Sequence, residues 1–454
     1  MAAIVSLCKR RGFVSPGSEL YGGFSNTYDY GHLGVQLKKN ISDAWWRDFV
    51  ARDAHTLGLE TPVVMSPLVW KASGHVGEFT DPLAECEKCK MRFRIDHHVE
   101  GANDGMSLEE LHDAFVAQHG ESSNCLSDKN CDGTLSKPRH FNLLMQTNVG
   151  IVEDQSRVAY LRPETAQGAY IAYNEVARAA RKRLPFGIAQ HGRSFRNEVT
   201  PGNFIFRTRE FEQMELQWFC DPSKAGDAYA WWIDRCEGWL RDVCGLRAES
   251  VRRREHSDAE LAHYASATTD LEFAYPFGWG ELWGIANRGD HDLRAHAAGS
   301  GADMKYVAPG GSKRDAAYPC VVEPAVGLNR LLLAVLCDAY EVETLNNGKQ
   351  RTVMRFAPHL APFQAAIMCV STKEPKLAEI AEKAHAAVSS WAIADLDLGS
   401  GSVGKKYRRQ DEIGTPFCIT VDYDSLEDGQ VTVRDRDTMQ QVRMPIDALA
   451  SSLL

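Results

Sequence analysis

The stretch from Arg162 to Glu215 has the residue types best suited to chemistry on a phosphate-bearing substrate. It contains RPETAQG at 162–168, FRNE at 195–198 and FRTREFEQMEL at 206–216. A guanidinium can bind two phosphate oxygens at once, and a phenyl ring offers a flat face to a purine. On two short strands, alternation would bring five residues to one face: Arg196, Glu198, Arg207, Phe211 and Glu215. The block predicts a purine polyphosphate clamp, and a surface hairpin of Arg–Glu ion pairs explains only part of it.

A second block, from Glu323 to Arg330, reads EPAVGLNR and continues into three leucines. A glycine and an arginine open an apolar helix here, so the arginine can reach a phosphate while the helix packs in the core. Alone this signal is weak. It becomes strong in combination with FRNE and RTREFEQ, which precede it along the chain. The chain has neither a GxGxxG nor a Walker-type loop, so the common phosphate-binding loops are excluded.

Four cysteines lie in a region of different character, roughly residues 85–140. Cys86-x-x-Cys89 has the spacing of a zinc knuckle, and Cys125 and Cys131 could complete a tetrahedral site. Reduced thiols in a surface insertion explain the pattern as well, because the second pair is widely spaced. Most other cysteines stand alone in apolar contexts, which is typical of a reducing compartment.

Hydrophobic spacing predicts the elements that position these residues. Apolar residues recur every four positions from Leu33 to Phe49, which predicts an amphipathic helix. Core packing is the simpler interpretation of this helix, and a dimer interface is the alternative, because Trp45 and Trp46 cover more than one face. The other predicted elements are strands at 57–64, 213–219, 365–370, 417–421 and 430–433, helices at 227–243, 328–339 and 375–391, and loops at 11–31 and 298–318.

Composition excludes several classes of protein. The 454 residues carry 51 Lys and Arg against 61 Asp and Glu, a net charge of −10, which argues against a DNA coat. The start of the chain lacks the apolar core of a secretory signal, and no run of about 18 apolar residues predicts a membrane span. We therefore expect a cytoplasmic protein with neither DNA nor membrane as a partner.

The two polar blocks resemble motifs of the class II aminoacyl-tRNA synthetases. FRNE and the arginine and phenylalanine that follow it resemble motif 2, GLNR with its leucines resembles motif 3, and the long helix before Pro62 or Pro67 is similar to motif 1. Segments along nearly the whole chain resemble the dimeric glycyl-tRNA synthetase family: GSELYGGFSNTYDYGHLGVQLKKNI, WKASGH, RPETAQGAY, FGIAQHGRSFRNEVTPGNFIFRTREFEQME, ELWGIANRGDHDL and YRRQDEIGTPFCITVD.

The resemblance implies an α+β fold. A six-stranded antiparallel sheet with flanking helices would form the class II catalytic domain, from residues 1–84 and 141–350. Residues 85–140 would be a cysteine-containing insertion, and 351–454 a C-terminal α/β anticodon-binding domain. The motif 1 helix would build a homodimer.

The resemblance also implies a reaction and its residues. Glycine and ATP, with Mg²⁺, would give glycyl-adenylate and pyrophosphate, and the glycine would pass to the 3′ end of tRNA(Gly). The catalytic residues would be Arg196, Arg330 and Glu281, the last helping to hold Mg²⁺. ATP would be bound by Arg196, Asn197, Glu198, Phe206, Arg207, Phe211, Glu281, Leu282, Gly327 and Arg330. Glycine would be bound by Arg94, Glu164, Gln213, Glu215, Glu323 and Ala325.

Three positions depart from the family's pattern. Ala325 stands where Ser is usual, so a hydroxyl near the amino acid is missing, His32 stands where Pro is common, and Cys125-x5-Cys131 replaces a tight pair. A catalytically inactive, binding-only relative is the second hypothesis, disfavoured because the phosphate-binding arginines are all kept. A class II enzyme for another amino acid is the third, disfavoured by the three glutamates of the glycine set.

Three basic clusters are candidates for contact with the tRNA backbone, at 178–183, 252–254 and 405–409. Solvated surfaces carry such runs equally often. The third cluster is the better candidate because it lies in the expected anticodon-binding domain, and it contains Lys405, Lys406, Arg408 and Arg409.

Overall fold

A computed structural model describes all residues except 103–105, 121–124, 127–130, 151–157, 199–201, 258–260, 262–264, 346, 372 and 454. Residues 199–201 belong to the segment that resembles motif 2, and the first three gaps lie in the predicted insertion. Those parts of the predictions lie outside the described residues.

The secondary structure mixes helices and strands along the whole chain. The helices are α1 Ala2–Arg11, α2 His32–Trp46, α3 Pro67–Ala72, α4 His75–Glu78, α5 Leu108–His119, α6 Ala166–Ala179, α7 Ala225–Asp242, α8 His291–Ser300, α9 Leu328–Ala339, α10 Pro375–Ser389, α11 Val403–Ile413, α12 Ser425–Asp428 and α13 Leu449–Leu453. The strands are β1 Val14–Pro16, β2 Tyr28–Tyr30, β3 Thr56–Gly58, β4 Val64–Met65, β5 Thr80–Glu85, β6 Arg92–Arg94, β7 Arg139–Asn142, β8 Gln146–Asn148, β9 Val158–Leu161, β10 Phe186–Phe195, β11 Glu210–Cys220, β12 Val251–Glu255, β13 Ala267–Tyr275, β14 Gly278–Gly289, β15 Cys320–Gly327, β16 Tyr340–Thr344, β17 Gln350–Met354, β18 Ala365–Cys369, β19 Ala394–Asp397, β20 Phe417–Val421, β21 Gln430–Asp435 and β22 Gln441–Pro445. In the described part of the chain, no helix is long and apolar enough to cross a membrane.

The largest sheet has seven strands in the order β12-β13-β14-β15-β11-β10-β3. Its neighbouring strands are antiparallel except β10 and β3, which run parallel. Six strands thus form the antiparallel sheet that the resemblance implies, and β3 is added at one edge. The α+β fold class is confirmed.

The two faces of this sheet are covered differently. On one face, Met214, Leu216 and Trp218 of β11 join an apolar core with α2, α7 and α9. On the opposite face, Phe186 and Phe219 pack against α6 and α8 at one end of the sheet. The remainder of that second face is free to form the floor of a cavity.

The described residues form five smaller sheets, two of which bear on the predicted insertion and C-terminal domain. Strands β6-β5-β7 form a sheet at the root of the predicted insertion, and β19-β18-β20-β21-β22 form a C-terminal sheet. In the C-terminal sheet β18 is parallel to both β19 and β20, with α10 on one face and residues of α11 on the other. The predicted strand–helix–strand pattern is confirmed there, whereas the exact domain boundaries stay predictions.

Most predicted elements are confirmed, including the helices at 33–49, 227–243 and 328–339, but two are wrong. The predicted strand at 57–64 is two short strands, β3 and β4, because Pro62 between them has no N–H to donate to a ladder. The predicted loop at 11–31 contains the paired strands β1 and β2.

The expected alternation of site residues on two strands is also wrong. Strand β10 ends at Phe195 and β11 begins at Glu210, so Arg196, Glu198 and Arg207 lie in the connection between them. Asn203 and Phe204 have positive φ angles there, which an extended strand does not allow.

Candidate active site

The open face of the large sheet forms the floor of a cavity of about 330 Å³. Glu215 of β11 lies opposite Ala325 of β15, Ala325 opposite Gly284 of β14, and Gly284 opposite Asp270 of β13. Every second residue along each of these strands points to the same face, so these side chains also face the cavity. The volume is in the range of small-molecule binding sites.

The cavity brings together most of the predicted site residues, from five separate stretches of the chain. Those that line it are Glu164, Arg196, Glu198, Phe206, Arg207, Phe211, Gln213, Glu215, Glu281, Leu282, Glu323, Ala325, Gly327 and Arg330. Leu282 is among these lining residues, although its side chain is part of the apolar core on the other face of the sheet.

Two predicted residues lie outside the lining. The backbone N–H of Asn197 donates to the Leu143 carbonyl at 2.8 Å. Arg94 of β6 forms an ion pair with Asp81 at 3.0 Å and another with Asp96. Burial lowers the pKa of Arg94, but Asp96, Asp81 and Glu198 raise it overall. Arg94 is bound to two carboxylates that are, like Arg94 itself, outside the cavity lining.

Arginines and aromatic rings define one end of the cavity. The Arg196 guanidinium lies 5.3 Å from the centroid of the Phe211 ring, and its Nε donates to the Pro163 carbonyl at 3.1 Å. Arg207 lies 3.8 Å from Glu198. These guanidiniums keep free N–H groups that can bind phosphate oxygens bidentately.

Arg330, the arginine of α9, is positioned by Phe206. Its guanidinium lies 4.4 Å from the ring centroid, and its Nε donates to the Phe206 carbonyl at 3.1 Å. The ring in turn fits against Gly280, where an added Cβ would come within 3.0 Å of it. Arg330 also forms a 2.8 Å ion pair with Glu281, and this charge lowers the pKa of Glu281.

Asp270 is a second acid beside Glu281 that the sequence interpretation missed. Burial and the charge of Glu281 raise the pKa of Asp270, and its carboxylate lies 2.8 Å from His256 Nε2. Two carboxylates in one cavity wall offer the hard oxygen ligands that Mg²⁺ prefers. Thr268 and Asp270 are two residues apart on β13 and therefore point to the same face of the sheet. This two-residue period was the sequence signal that could have indicated Asp270.

Three glutamates define the other end of the cavity. The pKa of Glu215 is raised to about 8, because it is buried and because Glu323 and Glu164 repel its charged form. Burial likewise raises the pKa of Glu323. Burial also raises that of Glu164, but His75 and Arg288 outweigh this and lower it overall. Glu164 therefore supplies negative charge at this end, and an ammonium group bound there would favour the charged forms of Glu215 and Glu323.

Arg288 of β14 is the buried cation that balances these acids, and the sequence interpretation missed it too. It is 3% exposed, binds both carboxylate oxygens of Asp292 at 2.8 and 2.9 Å, and donates to Glu323 at 3.1 Å. Gln167 connects Asp292 to Glu164 with donor distances of 3.1 and 2.9 Å. Arg288 follows Gly284 and Ala286 at two-residue intervals on the cavity face, which was the signal for it.

Gln213 presents an unused acceptor at the same end. Its Nε2 donates to Glu215 at 2.6 Å, whereas its buried Oε1 has no hydrogen-bond partner among the described residues. A buried acceptor left without a donor costs stability, so a ligand with an N–H group would be favoured here.

The four cysteines of the insertion meet in one cluster. The four sulfur atoms lie within 4.8 Å of one another, with 3.9 Å between Cys86 and Cys131 and 3.4 Å between Cys89 and Cys125. A tetrahedral zinc site with Zn–S bonds of about 2.3 Å has sulfur–sulfur edges of about 3.8 Å. Although five residues separate Cys125 from Cys131 in sequence, their sulfur atoms therefore lie close together in space.

The basic cluster at 405–409 only partly faces solvent. Lys406 is 1% exposed and donates to the Asp397 carbonyl at 2.9 Å, so it cannot reach a nucleic-acid backbone. Lys405, Arg408 and Arg409 are exposed, and Arg409 pairs with Asp397.

Comparison with known proteins assigns the chain to families. Residues 150–340 match the family described as tRNA synthetase class II core domain (G, H, P, S and T), and residues 364–454 match the family described as anticodon binding domain. The fold is similar to that of prolyl-tRNA synthetase from Cryptosporidium parvum complexed with L-proline and AMP. That likeness has a TM-score of 0.64 at 13% identity, over 99% of this chain and 76% of the other.

Sequence relatives are much closer. The glycine–tRNA ligase of Bacillus thuringiensis subsp. konkukian is 48% identical over 100% of this chain and 98% of its own. That of Macrococcus caseolyticus is 50% identical with the same coverage, and that of Clostridium perfringens is 50% identical over 98% and 96%. At this identity over the full length, the chain belongs to the glycine–tRNA ligase family of class II aminoacyl-tRNA synthetases.

Proposed function

We propose that the cavity joins glycine to ATP, forming glycyl-adenylate and pyrophosphate, and that the chain then transfers glycine to the 3′ end of tRNA(Gly). The observation that carries this proposal is the division of one cavity into a cationic, aromatic end and an acidic end. The family relationship supports the same reaction.

At the first end, Arg196 and Arg207 bind phosphate oxygens of ATP, Arg330 joins them, and Phe211 packs against the adenine. The glycine carboxylate must approach a phosphate although both are anions. Arginines that neutralise and align the two reactants suffice for this step, and no nucleophilic side chain is required. Losing one such preorganised donor costs about 3–4 kcal/mol of barrier stabilisation.

At the second end, Glu164, Glu215 and Glu323 surround the glycine ammonium, and Gln213 Oε1 accepts one of its N–H groups. Glycine has no side chain to recognise, so its selection combines this charge with exclusion of larger amino acids. A methyl group on the α-carbon would have to displace closely packed atoms.

The decisive experiment is exchange of labelled pyrophosphate into ATP. We expect exchange with glycine and with no other amino acid, and at least about a hundredfold loss in Arg196→Ala. Arg193→Ala is the matched control, because Arg193 lies three residues earlier, on β10, and its exposed side chain forms an ion pair with Glu210. Full exchange in folded Arg196→Ala would contradict the phosphate assignment. ATP and glycine binding without exchange in the wild type would instead indicate an inactive relative.

Mg²⁺ fits the two carboxylates of Asp270 and Glu281, which would hold it beside the phosphates. When bound, it supplies positive charge that offsets the charge of the phosphate chain. The Glu281 side chain is half-exposed, so one of its carboxylate oxygens would be accessible to the ion.

We also propose a structural zinc ion in the four-cysteine cluster. The sulfur separations match a tetrahedral site, and the backbone N–H of Cys89 donates to the Cys86 sulfur at 3.5 Å. Metal analysis of protein never exposed to chelator tests this. About one equivalent of zinc per chain is expected, and less than a fifth of an equivalent rules out a stable site.

The remaining proposals concern assembly and location. Trp45 is buried, whereas Trp46 is 37% exposed and Leu20 and Tyr21 are about 90% exposed, so apolar surface is available to a second copy of the chain. We propose a cytoplasmic homodimer that binds tRNA(Gly) through its C-terminal domain. Sedimentation at micromolar concentration should give twice the chain mass.

A further inference from the structure

One short segment contacts both ends of the cavity and has no role in the reaction outlined above. The segment runs from His75 to Phe79, contains α4, and directly precedes β5 at the root of the insertion. The Phe79 ring centroid lies 5.3 Å from the Arg196 guanidinium, the same distance as that of Phe211. His75 Nε2 lies 3.4 Å from a carboxylate oxygen of Glu164.

The two side chains also support one another. The His75 and Phe79 rings are 5.4 Å apart, and the His75 ring lies 5.5 Å from that of Trp70. His75 Nδ1 is 2.8 Å from the hydroxyl of Ser73. The imidazole is therefore held in one orientation, with its Nε2 directed at Glu164.

The chain enters the insertion directly after this segment and contacts the segment again where the insertion ends. Asn142, the last residue of β7, donates from its side chain to the Val76 carbonyl at 2.9 Å. The N–H of Leu143 donates to the Phe79 carbonyl at 3.0 Å, and the Leu143 carbonyl accepts from Asn197 at 2.8 Å. The insertion is thus tied to the backbone directly after Arg196.

Arg196 is held differently from the other two arginines of the cationic end. Arg207 and Arg330 each have a carboxylate partner, whereas the described residues place no carboxylate within ion-pair distance of Arg196. Two aromatic rings and one carbonyl hold it instead. A ring attracts a guanidinium without neutralising it, so the N–H groups stay available to a phosphate. If Phe79 only filled apolar space, any apolar side chain of similar size would serve, and an aromatic ring would not be required.

We propose that His75–Phe79 is a positioning element for both halves of the active site, with Phe79 orienting Arg196 and His75 orienting Glu164. The inference rests on the proposed function, because Arg196 and Glu164 are assigned there to ATP and glycine. It assigns positioning residues at the junction between the insertion and the reaction centre.

The test compares Phe79→Leu, which keeps an apolar side chain without a π face, with Phe79→Tyr, which keeps the ring. Val76→Ala is the matched control, since Val76 is an exposed neighbour in the same helix. In glycine-dependent pyrophosphate exchange, we expect Phe79→Leu to lower kcat/KM for ATP about three- to thirtyfold. Glycine KM should stay within about twofold, and Phe79→Tyr and Val76→Ala should behave as wild type.

His75 is tested in the same assay. His75→Ala should raise glycine KM about tenfold or more, the usual effect of losing a hydrogen bond to a charged group. ATP KM should change much less, because His75 reaches Arg196 only through the Phe79 ring. His75→Gln, which keeps a donor, should recover part of the loss.

The opposing outcomes are distinct. Wild-type kinetics in Phe79→Leu, or equal changes in both KM values in either variant, would overturn the inference while leaving the function intact. Absence of glycine-dependent exchange in the wild type would overturn the proposed function itself. If Phe79→Leu fails to fold, Phe79→Met keeps the volume with an adaptable side chain and is judged by the same criteria.

Discussion

Glu215 is expected to hold a proton in the free protein and to lose it when the glycine ammonium binds. Burial, with repulsion from Glu323 and Glu164, raises its pKa to about 8. At pH 7 a pKa of about 8 leaves about 90% of the carboxyl groups protonated. An ammonium group in contact favours the charged form, so glycine binding at pH 7 should release a proton.

Calorimetric titration of glycine, in buffers with different ionisation enthalpies, measures this release directly. Because the proton must leave before the ammonium binds well, glycine affinity should rise about ten- to fiftyfold from pH 6 to pH 8. Glu215→Gln has no proton to release, so its weaker binding should be independent of pH over this range. A wild-type protein that releases no proton, with a flat affinity profile, would refute the reasoning.

The same carboxyl group should limit stability at high pH. In the unfolded chain Glu215 ionises near pH 4.5, whereas in the folded protein it keeps its proton up to about pH 8. Between these two pH values ionisation of Glu215 stabilises only the unfolded state. The free energy of unfolding therefore falls as the pH rises across this range. At about 1.36 kcal/mol per pH unit, the cost reaches about 5 kcal/mol above pH 8. Glu215→Gln should unfold at higher urea than wild type at pH 8, and this gain should nearly vanish at pH 5. An equal gain at both pH values would contradict the assignment.

Further predictions concern the buried cation, the cysteine cluster and the amino-acid site. Arg288→Met removes the cation that two buried carboxylates share, so it should lose about 3–5 kcal/mol of unfolding free energy in urea. Arg294→Met, which breaks an exposed pair, should lose about 0–1 kcal/mol. Cys125→Ser should abolish zinc retention and speed proteolysis of the insertion, whereas Cys320→Ser, outside the cluster, should change neither. Ala325→Ser should keep or improve exchange with glycine, with alanine remaining a very poor substrate.

The family motifs by themselves identify most of the residues of the site. Fourteen predicted residues line the cavity, because motif identity carries over residue by residue once the blocks are recognised. Local periodicity is also sufficient for α2, α7 and α9, since an amphipathic or wholly apolar helix shows its period within a few turns.

Other features depend on neighbours far apart in sequence. Asp270 and Arg288 enter the site only because β13 and β14 pair in a particular register beside β15. Lys406 looks like a nucleic-acid contact in sequence, yet the packing of α11 directs it to buried carbonyls. Local spacing along a strand or helix indicates which face a side chain points to, but not which elements lie beside that face.

The sequence alone thus determined the inventory of residue types, since motif order predicts a nucleotide clamp and an acidic pocket and leaves the four cysteines open between a zinc site and reduced thiols. Only the tertiary structure decided how these parts meet. It places Arg196 and Arg207 in the connection between β10 and β11, brings the sulfurs of Cys125 and Cys131 together, and places Phe79 and His75 against the two ends of the cavity. The physical reason is that spacing along a chain governs only which side a residue faces within its own element. Distances between elements follow from sheet register and core packing, which involve the whole chain.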